Sequence, residues 1–228
     1  MEKEQHYHLK SFVLRGGRMT KAQEKSYNLA KDSFCIPLCD TPLDLQKIFG
    51  NDNPVTIEIG FGTGEATAAY ALQNPACNYL GIEVFKAGIG KLLWRIEQDG
   101  IKNIRIIEGD AVDVLAKMIA NASVSAFHIF FPDPWPKKRH HKRRLVQRPF
   151  TNLLCEKLCR GGDTPSKIHF ATDIEDYAHF AFAELEATEG LIKGCENFAQ
   201  RGSRPQTKFE RKGVLSKRQI FDIIFYKV

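Results

Sequence analysis

The chain has 228 residues, 43% apolar and 26% charged, which is enough for one hydrophobic core and too mixed for a disordered or fibrous protein. No run approaches about 18 consecutive apolar residues, and the opening MEKEQHYHLK lacks the apolar segment of a signal peptide, so a cytoplasmic protein that does not span a membrane is expected. The formal charge is +6, and residues 137–144 alone carry six Lys or Arg and no acid, so the excess forms one patch that favours a polyanion over a membrane surface.

Residues 1–20 read as a flexible basic arm, with Arg15 and Arg18 flanking two glycines, and residues 21–228 as a single domain. A short helix is expected around 21–30, then a helical turn or two at 43–49. From residue 54 apolar strands alternate with helices: strands at 54–60, 77–84, 101–111, 125–133 and 166–173, helices at 61–73, 86–100, 113–120, 147–160 and 176–190. Gly100 is placed to cap the second of these helices. Two further strands, 191–199 and 219–228, flank a polar loop at 201–218. The rhythm predicts an α/β fold with a doubly wound, mostly parallel seven-stranded sheet and an antiparallel C-terminal edge. The six cysteines include two pairs spaced by four, Cys35 with Cys39 and Cys155 with Cys159; neither is a CxxC, and reduced core-facing thiols are expected.

Two motifs carry chemistry. In EIGFGTG (58–64), Gly60, Gly62 and Gly64 mark a turn at a helix N-terminus where backbone approaches a ligand. The order is neither the dinucleotide G-x-G-x-x-G nor a Gly-Lys-Ser/Thr phosphate loop, and Glu65 follows at once. Glu58, Glu83, Asp110 and Asp133 recur at spacings of 25, 27 and 23, each at a strand end, the edge where doubly wound sheets bind ligands. Such a rim repels a phosphate ester and suits a cationic ligand rich in hydroxyls and donors; S-adenosylmethionine has that chemistry. Glu83 is placed for ribose hydroxyls and Asp110 for an adenine amino group, although Asp110 alone also reads as a helix N-cap. The acids are spread along the rim and do not converge, so no metal is expected.

The second motif is FFPDPWPKKRHHKRR (130–144), where prolines stop the strand and present Asp133 in a fixed direction beside the basic octet. Downstream lie Asp173 and TKFER (207–211), with donors and acceptors for a base edge, and Arg204, placed to touch phosphate. His140 and His141 read as backbone contacts rather than catalytic bases.

Taken together in this order, EIGFGTG, GIEV (81–84), EGDA (108–111), the proline-rich signature, Thr172-Asp173 and TKFE (207–210) resemble the bacterial tRNA (guanine-N7-)-methyltransferase family from about Arg15 onward. The resemblance implies a Rossmann-like class I methyltransferase that uses S-adenosylmethionine, without a metal, on a guanosine in the variable loop of tRNA. It implies cofactor contacts at Glu58, Gly60, Gly62, Gly64, Glu83, Asp110, Ala111 and Asp133, with Asp133 as catalytic residue. Substrate contacts are implied at Lys137, Asp173, Thr207, Lys208, Phe209 and Glu210. RNA contacts are implied at Arg139, His140, His141, Lys142, Arg143 and Arg144, and at Arg15 and Arg18. Members are monomers or homodimers. A small-molecule methyltransferase would have no use for the octet, a nucleotide-dependent oxidoreductase needs a different glycine spacing, and a non-enzymatic RNA-binding module needs no cofactor acids.

Overall fold

The computed structural model describes residues 10–13, 17–160, 165–202 and 204–228. Arg15, expected in the N-terminal arm, lies outside them, as does most of the arm itself. Seven strands form one sheet, β1 Val55–Ile59, β2 Asn78–Glu83, β3 Ile104–Glu108, β4 Ala126–Phe130, β5 Lys167–Thr172, β6 Leu191–Lys193 and β7 Phe221–Lys227, in the order β3-β2-β1-β4-β5-β7-β6. β1 to β5 run parallel, and β7 is antiparallel to both β5 and β6. β1, β2 and β4 are buried along their whole length, which explains their near-continuous apolar sequence.

Helices cover both faces. On one face α1 (Lys21–Phe34), α3 (Glu65–Gln73) and α4 (Lys86–Asp99) pack Ala68, Leu92, Leu93 and Ile96 against Ile104 and Ile106. On the other, α5 (Ala111–Met118), α6 (Phe150–Lys157) and α7 (Glu175–Glu186) pack Leu115, Leu154, Tyr177 and Leu185 against Ile57, Phe127 and Phe170. The short α2 (Leu45–Phe49) precedes β1. α1 begins with a capping box between Thr20 and Gln23, and α4 ends at Gly100 in the left-handed region, φ 63°. After α1 the chain bridges Cys35 to Ile106, and Ile36 donates to the Ile106 carbonyl at 2.8 Å, covering the β3 edge.

Three expectations need correction. The stretch 201–218 is no plain loop: it contains α8 (Lys208–Leu215), begun by a capping box in which Thr207 caps and Glu210 reciprocates. β6 and β7 are therefore separated by a helix, and the outer strand is the three-residue β6. The fourth strand ends at Phe130, three residues early, because Phe131 turns to φ 54°. All six cysteines are free, but only Cys155 is fully buried. Among the described residues, no helix is long and apolar enough to cross a membrane.

Candidate active site

Strand order reverses between β1 and β4, and in doubly wound sheets the crevice beyond that point is where ligands bind. Two turns meet there. The first, Gly60 to Gly64, has all three glycines at positive φ (71°, 58° and 69°). A Cβ on Gly64 would lie 2.7 Å from Leu92 Cδ1, and one on Gly88 of α4 would lie 2.0 Å from the Gly62 carbonyl oxygen, so α4 packs directly on the turn. The Gly62 amide, which a pyrophosphate would need, already donates to Glu83 Oε2 at 2.7 Å. Glu83 Oε1 accepts from Val84 N and Phe85 N at 2.7 and 3.0 Å. Burial raises the Glu83 pKa, three backbone N–H bonds oppose the rise, and the charge of Asp133 adds to it, which ties the two acids to one site.

The four acids are not equivalent members of a rim, and the reason is depth. Glu58 sits on β1 beneath the glycine turn, only 4% exposed, and accepts from Thr67 Oγ1 at 2.7 Å. Burial pushes its carboxyl up to about 7, with the Glu83 charge adding and Thr67 and Arg204 opposing. Asp110 is half-buried and caps α5, its carboxylate accepting from Val112 N at 2.9 Å, so the N-cap reading of this residue holds. Ala111, the first residue of α5, is buried.

The second turn carries Asp133, half-buried, between two non-glycine residues at positive φ, Phe131 (54°) and Trp135 (48°). Such conformations cost on the order of 1–3 kcal/mol each and persist where surrounding contacts over-determine them. Those contacts are present. Trp135 Nε1 donates to the Ser11 carbonyl at 2.9 Å, Arg143 lies over the indole at 5.1 Å, and Arg144 Nε donates to the Pro134 carbonyl at 3.0 Å.

Arg144 corrects the reading of the octet. Its side chain is 1% exposed, pairs with Asp176 of α7 and stacks on Tyr177 and Phe180, so it anchors the turn and presents nothing to a polyanion. His141 faces the same way, 3.8 Å from Asp176, while His140 sets its ring edge against Trp135. Residues Lys138–Arg143 form a 3-10 helix on which Lys138, Arg139 and Lys142 are exposed and Arg143 is half-buried, with Lys137 exposed just before it.

TKFE divides likewise. Lys208 and Phe209 are exposed, whereas Thr207 and Glu210 turn inward as the capping box. Glu210 Oε2 accepts from Arg204 Nη1 at 2.8 Å, and Arg204 Nε donates to Asp222 Oδ1 at 2.7 Å, where His169 Nε2 also meets that oxygen at 2.7 Å. Arg204, expected on phosphate, is 2% exposed and lies over the Phe130 and Phe131 rings at 5.2 and 5.7 Å. Its pKa is raised: burial pulls it down, and the bonds to Asp222 and Glu210 outweigh burial. This network under the Asp133 turn has one sequence signal, Asp222 inside the apolar QIFDIIFYKV, because a lone acid in a buried strand demands a partner. Asp173 is half-buried and accepts from Arg218 Nη1 at 2.6 Å; Arg18 is exposed. Among the described residues, no group of three or more His, Cys, Asp or Glu could hold a metal ion.

A family model described as "Putative methyltransferase" matches residues 52–223. A tRNA (guanine-N(7)-)-methyltransferase of Bordetella pertussis is 45% identical over 220 residues, 96% of this chain and 85% of that protein. One of the same name from Nitrosomonas eutropha is 45% identical over 223 residues, 97% and 98% of the two chains. Among solved structures, the 16S rRNA methyltransferase KamB aligns with a TM-score of 0.56 at 15% identity, over 81% of this chain and 92% of that one, a likeness of fold alone. The sheet order, the pair of turns at its reversal and the extent of the sequence match lead to one assignment: the chain belongs to the tRNA (guanine-N7-)-methyltransferase family.

Proposed function

We propose that the protein transfers a methyl group from S-adenosylmethionine to N7 of a guanosine in the variable loop of tRNA. The observation that carries this reading is the meeting, at the β1–β4 reversal, of a glycine turn whose Gly62 amide is committed to Glu83 with an acid held beside exposed cations. The residues fit the cofactor chemically. The Glu83 carboxylate keeps acceptor capacity for ribose hydroxyls, and the acids of this rim favour a cationic ligand over a phosphorylated one. Bound there, S-adenosylmethionine supplies an electrophilic methyl group.

Guanine N7 has a lone pair and no proton, so no residue of this chain is needed as a general base. Asp133 is assigned to positioning the guanine through its N–H donors and to offsetting positive charge that develops on the ring. The strained, over-determined turn suits that role, because a carboxylate that does not reorient contributes more to the transition state than to the ground state. Glu58, with its carboxyl near neutrality beneath the turn, is assigned to ionise as a cation arrives above it. Lys137, Arg139 and Lys142 are assigned to RNA phosphates.

The test is incubation with methyl-labelled S-adenosylmethionine and unmodified tRNA, followed by digestion and identification of the labelled nucleoside. Label in 7-methylguanosine is expected, and label elsewhere or nowhere refutes the reading. Asp133→Ala should lower kcat at least about 100-fold, with tRNA affinity changed less than about threefold; near wild-type turnover would remove Asp133 from the chemistry.

A further inference from the structure

Beside the glycine turn, between α1, α3, α4 and α8, lies a cavity of about 550 Å3 whose lining includes Thr63, Glu65, Lys91, Lys208, Arg211 and Lys212. Lys208, Arg211 and Lys212 stand at i, i+3 and i+4, one face of α8, while Glu210 and Gly213 are buried on the inner side. Phe209 reaches over the turn, its ring 3.9 Å from where a Cβ on Gly62 would stand. The cavity therefore opens next to the cofactor crevice.

Its charge is unbalanced. Four cations face one carboxylate, and that carboxylate, Glu65, is already held by Arg211 at 2.5 Å and by Arg95 at 3.5 Å. Among the described residues Lys208 and Lys212 enter no ion pair, and the Lys91 ammonium rests on the Trp94 ring at 3.6 Å. Glu65 accounts for Arg211, but the like charges of Lys91, Lys208 and Lys212, from two helices in one concavity, repel, and a bound anion offsets that repulsion. The exposed cations of the 3-10 helix follow β4, and this cavity adjoins the turn after β1, so the two lie on either side of the strand reversal.

We propose that this cavity binds phosphodiester groups of the substrate RNA. The RNA is then gripped on both sides of the point of methyl transfer, and bending over the crevice brings the guanosine down to Asp133. The proposal rests on the tRNA reading above and extends it to a surface outside the proline-rich motif.

The test uses the full chain with the pair Lys91→Gln and Lys212→Gln, against a control pair, Lys47→Gln and Lys102→Gln, that removes equal charge from exposed positions at the N-terminal ends of the strands, in α2 before β1 and just before β3. Binding of unmodified tRNA is measured across a salt series, and S-adenosylhomocysteine binding by calorimetry. The cavity pair should lose about tenfold in tRNA affinity at low salt, and its slope of log affinity against log salt should shrink by about 1–2, with S-adenosylhomocysteine affinity unchanged. An unchanged slope, an equal loss in the control pair, or lost S-adenosylhomocysteine affinity with intact tRNA binding would overturn it. Because this arm reads binding, it stands apart from the labelled-nucleoside assay: a wild-type protein that binds tRNA here but forms no 7-methylguanosine would sink the catalytic reading and leave this one.

Discussion

The two turns that meet at the strand reversal are built in opposite ways. The glycine turn after β1 takes its shape from its own backbone: three residues without side chains take positive φ, and the Glu83 carboxylate closes the turn on the Gly62 amide. The turn after β4 is forced into positive φ at Phe131 and Trp135, and distant groups hold it, with Arg144 at the Pro134 carbonyl, Ser11 on Trp135 and Arg204 beneath the phenylalanines. A turn that closes over a cofactor needs backbone close approach, which glycine supplies. A turn that must aim one carboxylate needs rigidity, which comes from buried long-range contacts.

Removing the support of the second turn should have the largest effect. Arg204→Met leaves buried Asp222 with His169 alone and buried Glu210 with the more exposed Arg201 alone, and should cost about 3–5 kcal/mol in urea unfolding; a loss under about 1 kcal/mol would mean the network does not bear on the fold.

Next comes Glu58, on the floor of the first turn. Its folded pKa of about 7 lies above the ordinary 4.5, so between those values the folded state holds a proton that the unfolded state has released. Stability from this group should fall as pH rises from about 4.5 to 7 and level off above, by up to about 3 kcal/mol. Glu58→Gln should remove that slope, so the difference between wild-type and variant unfolding curves across the window isolates it. A constant difference would place the Glu58 pKa near its ordinary value.

Within the first turn, Gly64→Ala adds overlap with Leu92 to left-handed strain and should cost about 2–3 kcal/mol, whereas Gly60→Ala meets nothing within 4 Å and should cost about 1 kcal/mol. Equal losses in thermal unfolding would show that packing of α4 on the turn is unimportant. The smallest stability change is expected from Gln at Lys138, Arg139 and Lys142 together. It should leave the melting temperature within about 2 °C of wild type, since exposed charges contribute little, and reduce the salt slope of tRNA binding by about 2. A normal salt slope in that variant would take the 3-10 helix out of the RNA surface.

Local pattern determined most of the fold. Buried parallel strands, glycine punctuation and the Gly100 cap are short-range signals, and they placed β1 to β5 and their helices to within a few residues of where the structure has them. The glycine turn and the position of Asp133 past a strand end were legible for the same reason. Tertiary structure decided which charges face solvent. Arg144 and Arg204 carry the same side chain as Arg139, and Glu210 the same as Glu65, yet Arg144, Arg204 and Glu210 are buried in ion pairs with partners 32, 18 and 6 positions away in sequence. Nor could α8 be read from a stretch whose only helical signal was the capping box, because its inner face consists of Glu210 and Gly213 instead of an apolar stripe. Burial of a charge depends on a partner brought by the fold, and a linear sequence names the charge without naming the partner.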